Sequence, residues 1–257
     1  MSAPLYRDAR AREFGGVATD GAGAERRVSL VEAYNRWAAR YDAPNPLHAL
    51  EERVLKPLLP AVSGKRVLDV ACGTGRWLEK LLAWGAWPGS GVDLSQGMLG
   101  QASAKPALRG RVVRGDCVAL PFPTSSADLV LCSLAAGHLR DIDTLARELA
   151  RVAAPGSDVL LSDFHPLAHA RGWRRTFHDG AEVIEVPSHA HTLTGVRKAF
   201  EQAGFRVVQF AEPRFGEPER EIFMRRGKPH LFSASCEGPA LYVFRFSRVS
   251  AAGEEVE

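Results

Sequence analysis

Apolar and polar positions along the chain follow two different periods. From Ser29 the run SLVEAYNRWAARYD places Leu30, Ala33, Tyr34, Trp37 and Tyr41 on one side of a helix, and a second helix is expected over residues 47–59, ending near Pro60. Strand-like apolar runs then cover 66–71, 90–94, 111–116 and 127–134, with helix-like runs over 75–84 and 96–104 between them. Residues 141–153 set Ile142, Leu145, Leu149 and Val152 on one helical face, before Pro155, Gly156 and an apolar strand over 158–164. Such βα alternation predicts an α/β fold with a doubly wound, mostly parallel sheet, since each strand buries both faces under helices.

The rhythm breaks after Phe164. A polar stretch rich in His and Arg runs from 165 to 191, longer than an ordinary connection, and is expected to be an insertion after the fifth strand that serves as a lid or substrate loop. A helix over 193–203 closed by Gly204, a strand over 205–211 and a last strand over 240–247 complete the domain. The expected organisation is one domain over 29–250: cap helices over 29–60, a ligand-binding core over 64–164, the insertion over 165–191, and a C-terminal helix and strands over 192–248. The Arg-, Ala- and Gly-rich segment 1–28 reads as a flexible arm and 251–257 as a disordered tail.

Composition narrows the function. With 257 residues and 46% hydrophobic positions the chain can bury one large core, and a formal charge of +3 without a basic stripe argues against a nucleic-acid partner. Cys72, Cys117, Cys132 and Cys236 are far apart with no CxxC pair, so neither a metal nor a disulfide framework is expected and a reducing cytoplasm fits. His189 and His191 form an HxH without a companion pair, which also falls short of a metal site. No apolar run approaches the roughly 18 residues of a membrane span, and the N-terminus lacks the apolar segment of a secretory signal.

The strongest motif is VLDVACGTGRW, residues 67–77, where an apolar strand ends near an acid and passes through a glycine turn into a helix. Glycine belongs there because a side chain would block a ligand from the backbone at the helix start. A dinucleotide GxGxxG would need glycine at 78, which is Leu78, so the oxidoreductase reading loses its fingerprint. Asp93 ends the next strand in GVDLSQGML, 18 residues after Gly75, where a carboxylate can accept hydrogen bonds from both hydroxyls of a ribose. Asp116 ends the third, in RGDCVALPFP, where it could alternatively cap a turn before Pro121.

These segments resemble the motifs of the class I S-adenosylmethionine-dependent methyltransferases, with the closest likeness to the small-molecule group that includes ubiquinone-biosynthesis-like and biotin-pathway-like enzymes. The first motif, usually DxGxGxG, is matched by Asp69, Gly73 and Gly75, with Ala71 in place of the first glycine. The resemblance covers about residues 30–211, is most specific over 67–164, and implies a seven-stranded Rossmann-like sheet with an N-terminal helical cap. It implies S-adenosylmethionine as cofactor, with S-adenosylhomocysteine as product. Asp69 would lie near the methionine ammonium, and Ala71, Cys72, Gly73 and Gly75 would run past the methionine portion. Asp93 would hold the ribose, Leu94 and Met98 would flank the adenine, and Asp116 with the Cys117 backbone would meet the adenine edge. Met98 is equally explained as core packing. Tyr41 would lie over the cofactor, while Ser133, Leu134 and His138 would face the methyl group.

Methyl transfer is an in-line displacement on a sulfonium carbon, so the protein chiefly aligns the nucleophile and excludes water. His138 and His165, both at strand carboxyl ends, are the candidate bases where the acceptor must lose a proton. Tyr34, Arg174, His178 and His191 are candidate substrate contacts, and Arg174 or Arg175 could hold an acidic group. The expected partner is a small-molecule methyl acceptor, with the protein a monomer or homodimer. A nucleic-acid methyltransferase is disfavoured because CSLAAGH follows the fourth strand where an NPPY-like stacking loop would be needed. A binding protein without turnover, acting as a sensor or partner subunit, is the remaining alternative.

Overall fold

The computed structural model describes residues 28–249. The arm expected over 1–28 and the tail over 251–257 thus lie outside the described residues, apart from Val28, which is buried. Ser29 accepts a hydrogen bond from the Glu32 N–H and starts helix α1 (Leu30–Trp37). A tighter turn over Ala38–Arg40 follows and delivers Tyr41. Helix α2 (Pro46–Leu58) begins at Asn45, whose side chain accepts from the Leu47 N–H, with proline at the first helical position, where no N–H is needed.

The core alternates as its pattern implies: β1 (Val67–Val70), α3 (Arg76–Ala83), β2 (Gly89–Asp93), α4 (Gln96–Ala104), β3 (Val112–Arg114), β4 (Ala127–Ser133), α5 (Ile142–Val152) and β5 (Ala153–Phe164). The C-terminal part adds α6 (Pro166–Ala170), β6 (Thr176–Asp179), β7 (Glu182–Glu185), α7 (Leu193–Gln202), β8 (Phe205–Ala211), α8 (Glu217–Arg225), α9 (Pro229–Cys236) and β9 (Leu241–Arg248). Seven strands form one sheet in the order β3-β2-β1-β4-β5-β9-β8. All neighbours in it run parallel except β9, which is antiparallel to β5 and β8. This is the doubly wound Rossmann-like architecture of the methyltransferase fold.

Both faces of the sheet are buried, which explains why its central strands read as nearly unbroken apolar runs. Val130 and Cys132 of β4 point with Leu68, Val70, Val159 and Leu161 toward α5 and α7, whereas Leu129 and Leu131 point with Val67 and Leu160 toward α3 and Leu55 of α2. Phe200 stacks on Phe246 at 4.3 Å between ring centres, joining α7 to β9. The order of strands reverses between β1 and β4, and the loops leaving their carboxyl ends diverge there to open a crevice.

Residues 165–191 are more ordered than an irregular insertion. They form α6 and a hairpin, with Phe177, Ile184 and Val186 buried against Val28 and Ala33. Trp37 stacks on Phe177 at 5.0 Å with the rings 4° from parallel, and Arg36 donates to Asp179 at 2.5 Å and Glu182 at 2.8 Å. The hairpin and α1 therefore make one cap over the carboxyl edge of the sheet. Helices α8 and α9, which the apolar pattern does not announce, close the other side; α8 buries only Glu219 and Phe223, so its sequence carries almost no amphipathic signal.

A buried carboxylate ties α2 to the sheet. Glu51 is fully buried and accepts from Trp77 Nε1 at 3.1 Å, from Arg76 Nη2, and from the hydroxyls of Ser133 and Ser162. Replacing one member of such a buried pair leaves its partner uncompensated, at a cost of about 3–5 kcal/mol. Glu51→Ala should therefore lower the free energy of urea unfolding by about 3 kcal/mol or more; a loss no larger than that of an ordinary surface change, about 0.5 kcal/mol, would show the cluster is not a structural tie.

Candidate active site

The crevice is built by backbone register. Cys72 N–H donates to the Val92 carbonyl at 2.9 Å, Gly115 N–H to the Asp93 carbonyl at 3.1 Å and Leu134 N–H to the Ser162 carbonyl at 2.8 Å, so the loops after β1, β2, β3 and β4 leave at one level. Between them lies a cavity of about 240 Å³. Its floor and walls include Ala71, Gly73, Asp93, Leu94, Met98, Asp116, Cys117 and Leu134, with Tyr34, Tyr41 and His138 coming from the cap side.

Gly73 has φ +56, a left-handed conformation that favours glycine, and it lies beside the Tyr41 ring. Ala71 and Leu134 also lie in the left-handed region, both at φ 55, which costs a non-glycine residue of order 1–3 kcal/mol and is typical of loops shaped for a ligand. Asp93 Oδ2 accepts from the Gly73 N–H at 2.8 Å and Oδ1 from the Ser95 N–H at 2.8 Å, which aims the carboxylate along the cavity wall. Burial raises its pKa, and these backbone donors pull it back toward the charged form. Asp116 Oδ1 accepts from the Val118 N–H at 3.1 Å, holding the turn after β3. Burial pushes the Cys117 thiol up to about 12, so it is a neutral wall.

Three motif residues stand behind the cavity instead of lining it. Asp69 is 2% exposed, and its Oδ2 accepts from the Leu78 N–H at 3.0 Å, an interaction that secures the start of α3. Gly75, at φ +73, is required by packing, since a Cβ there would come within 2.3 Å of Leu108. Cys72 is buried against Gly91. Arg76, which the sequence reading passed over, pairs with Glu51 through Nη2, and its buried Nη1 has no partner among the described residues.

Above the cavity the structure assembles a polar group that no sequence spacing announces. His138 Nδ1 lies 2.8 Å from the Pro187 carbonyl and donates to it, which leaves Nε2 to accept from Tyr34 Oη at 2.6 Å and from Arg175 Nη1. Arg175 Nη2 in turn donates to Asp163 Oδ1 at 2.9 Å, and Asp163 Oδ2 accepts from the Gly137 N–H. Burial and the Arg175 charge hold the His138 pKa well below its ordinary value, so the imidazole is neutral near pH 7.

The other expected contacts are displaced. His165 is 2% exposed and lines neither this cavity nor the one beside it; its Nδ1 accepts from the Leu167 N–H and its Nε2 faces Glu212 at 2.9 Å, so both nitrogens serve α6 and its neighbour. A role as base does not fit that position. Arg174 donates to the carbonyls of His169 and Trp173, and it is its neighbour Arg175 that reaches the interior. His191 Nε2 contacts the Ala136 and Leu139 carbonyls, fastening the loop after β4, and His178 borders an outer groove with Trp37, Tyr41 and Arg226. No helix among the described residues is long and apolar enough to cross a membrane.

The fold is that of the methyltransferases, and residues 67–156 match the family described as "Methyltransferase domain". A solved S-adenosylmethionine-dependent methyltransferase from Mesorhizobium loti superposes with a TM-score of 0.62 at 24% identity, covering 79% of this chain and 100% of that one. A phosphoethanolamine N-methyltransferase 2 from Haemonchus contortus, in complex with S-adenosyl-L-methionine, gives 0.59 at 17% identity, covering 86% of this chain and 57% of that one. Among curated relatives, a malonyl-[acyl-carrier protein] O-methyltransferase from Halorhodospira halophila is 36% identical over 54% of this chain and 49% of its own length. A demethylmenaquinone methyltransferase from Geobacillus kaustophilus is 30% identical over 51% of this chain and 60% of its own. The bifunctional biotin biosynthesis protein BioHC of Cellvibrio japonicus is 29% identical over 71% of this chain and 36% of its own length, so the chain spans between about a third and three fifths of these relatives.

Burial raises the Asp69 carboxyl from 3.8 to about 7, against the pull of the Leu78 N–H and Arg76. Between those two values the folded state keeps a proton that the unfolded chain has lost, so stability falls as pH rises through this window. Asp69→Asn keeps an oxygen for the Leu78 N–H but removes the titration. Its stability relative to wild type, read from urea unfolding at several pH values, should improve steadily from about pH 4 to about pH 7 and then level off. A difference independent of pH would mean that Asp69 ionises normally in the folded protein.

Proposed function

We propose that the protein is an S-adenosylmethionine-dependent methyltransferase acting on a small molecule, in the cytoplasm, as a monomer or homodimer. The observation that carries the reading is the Asp93 carboxylate, held by two backbone N–H groups at the wall of a cavity whose other sides are a glycine turn and the apolar Leu94 and Met98. The residues present fit the cofactor chemically. Asp93 retains lone pairs for a ribose diol, the buried and unpartnered Arg76 Nη1 suits a methionine carboxylate, and Leu94 and Met98 suit the faces of an adenine. Asp116 and Cys117 also line the cavity, and a carboxylate and a backbone N–H suit the edge of an adenine.

In this division residues 64–164 hold the cofactor, segments 29–60 and 165–191 build the acceptor side, and 192–248 complete the sheet. When bound, S-adenosylmethionine supplies an electrophilic methyl group. The chain's own work is to orient the acceptor and exclude water, for which the cap of α1 and the β6–β7 hairpin supplies Tyr34, Trp37 and Phe177. His138 is the candidate proton acceptor, through Nε2, for an acceptor hydroxyl that displaces both Tyr34 and the Arg175 guanidinium from that nitrogen, because its Nδ1 is already committed to Pro187 and the ring is uncharged. Four cysteines present as free thiols accord with a reducing compartment.

The first test is calorimetric binding of S-adenosylmethionine and S-adenosylhomocysteine. Each hydrogen bond to a charged acceptor contributes about 1.5–3 kcal/mol, so Asp93→Ala should weaken both ligands by at least about tenfold, measured at a temperature where the variant, which also loses the Gly73 and Ser95 N–H contacts, is still folded. Folded wild-type protein that binds neither ligand would sink the methyltransferase reading.

A further inference from the structure

The cap closes over the cofactor cavity with a phenol already in place. Tyr34 Oη donates to His138 Nε2 at 2.6 Å and accepts from Arg175 Nη1 at 3.4 Å, so one oxygen lies between a proton acceptor and a cationic N–H donor. Burial holds the Tyr34 pKa above its ordinary value, and the hydroxyl keeps its proton for that donation. Tyr34 and His138 both line the cofactor cavity, together with the aliphatic Leu30, Val31 and Leu139. Arg175 is 6% exposed, with its guanidinium 4.9 Å from the Phe164 ring centre and Nη2 on Asp163 at 2.9 Å. The narrower chamber that Arg175 also borders, about 50 Å³, is too small for an aromatic ring and takes no part.

The two contacts on the Tyr34 oxygen are those that methyl transfer to a hydroxyl requires: a base for the departing proton and a donor for the charge that develops on oxygen. The surroundings also restrict the hydroxyl. Asp163 already answers the Arg175 charge, so an acceptor carboxylate would bring a second, unanswered anion, and an ammonium would face the guanidinium. The acceptor therefore enters neutral. His138 is a weak base, because burial and Arg175 hold its pKa well below the ordinary value, so the proton it takes must be more acidic than that of an alcohol. An aryl body suits the place, since the Tyr34 ring is bounded by the rings of Trp37, Tyr41 and His138 at 6.0, 6.2 and 5.3 Å.

Building on the methyltransferase reading, we infer that the acceptor is a neutral phenol whose hydroxyl takes the position of Tyr34 Oη, and that Arg175 is a second catalytic residue. Its Nη1, released from the imidazole nitrogen, donates to the acceptor oxygen while Asp163 keeps Nη2. The acceptor gives its proton to His138 Nε2 and an oxygen lone pair to the methyl carbon, and the electron pair of the broken carbon–sulfur bond stays on sulfur. A methyl ether, S-adenosylhomocysteine and an imidazolium result.

The probe is p-cresol, the tyrosine side chain as a free molecule, given with S-adenosylmethionine to the full chain as wild type and as Tyr34→Ala, which vacates the position. The product, p-methylanisole, is followed by mass spectrometry. Tyr34→Ala should form it at least about tenfold faster than wild type, where Tyr34 competes for the same two contacts. Both proteins should methylate p-cresol at least about tenfold faster than p-methylbenzyl alcohol, p-toluate or p-methylbenzylamine. Arg175→Lys, made in both backgrounds, keeps a cation for Asp163 but has no second N–H arm for the oxygen. It should lower kcat at least about tenfold while KM for p-cresol and the affinity for S-adenosylhomocysteine stay within about twofold, a split that a merely structural role would not produce. Should Tyr34→Ala not fold, the wild-type background decides by the same criteria. No methylation of p-cresol, no preference for it over the other three probes, or a kcat indifferent to Arg175→Lys overturns the inference. Failure of the methyltransferase reading is read separately, as absence of S-adenosylhomocysteine binding by the wild-type protein itself.

Discussion

The arrangement of the site depends on one carboxylate. Glu51 leaves α2, enters the interior beneath the loop after β4, and is met there by a guanidinium, an indole N–H and two serine hydroxyls from three other elements. Taking such a charge out of water is costly unless every lone pair is answered, and here the donors come from α3, β4 and β5, the elements that must converge for the crevice to exist. The same carboxylate orients Arg76 beside the glycine turn and places α2 so that His48 and Tyr41 can close over it. One ionic contact therefore ties α2, the start of α3 beside the glycine turn and the ends of β4 and β5 to one another.

From that junction the two cavities acquire their different characters. The larger one is lined by strand ends and backbone, as suits a ligand recognised mainly by hydroxyls and a ring, and its one firmly aimed carboxylate is Asp93. The smaller one is lined by side chains from helices and connections that lie far apart in sequence, and its polarity is cationic. The larger cavity is thus built on a sheet edge fixed by register, and the smaller one on side chains brought together from separate helices and connections.

How much of this could be read from the sequence follows from the range of the interactions. Strands β1, β2, β4 and β5 and the turn at Gly73 were legible because both faces of the strands are buried and the turn needs glycine, which are local demands on local residues. Asp93 was legible for the same reason. Asp69 and Gly75 carried the right letters for a different duty, one capping α3 and the other making room for Leu108, and a motif does not separate contact from support. His165 could be placed at a strand end but not turned inward or outward, because its partner Glu212 lies 47 positions away. Glu51 and Asp163 were illegible, since a lone acid on a polar helix face gives no sign that serines at 133 and 162 will meet it, and the sequence named Arg174 and Arg175 together without showing that only Arg175 would meet Asp163. Helices α8 and α9 were missed because α8 is mostly polar and buries only Glu219 and Phe223, and α9 is only eight residues long, with Leu231, Phe232 and Ser235 buried.

The cap is stitched from distant chain segments, since Arg36 is joined to Asp179 and Glu182 across 143 and 146 positions. Such contacts close long loops and can form only once the sheet has brought their elements near. The α1 and hairpin unit is thus held by its own small apolar cluster and one forked ion pair, so the roof of the site owes its place to a few side chains and not to the ladder of the seven-stranded sheet.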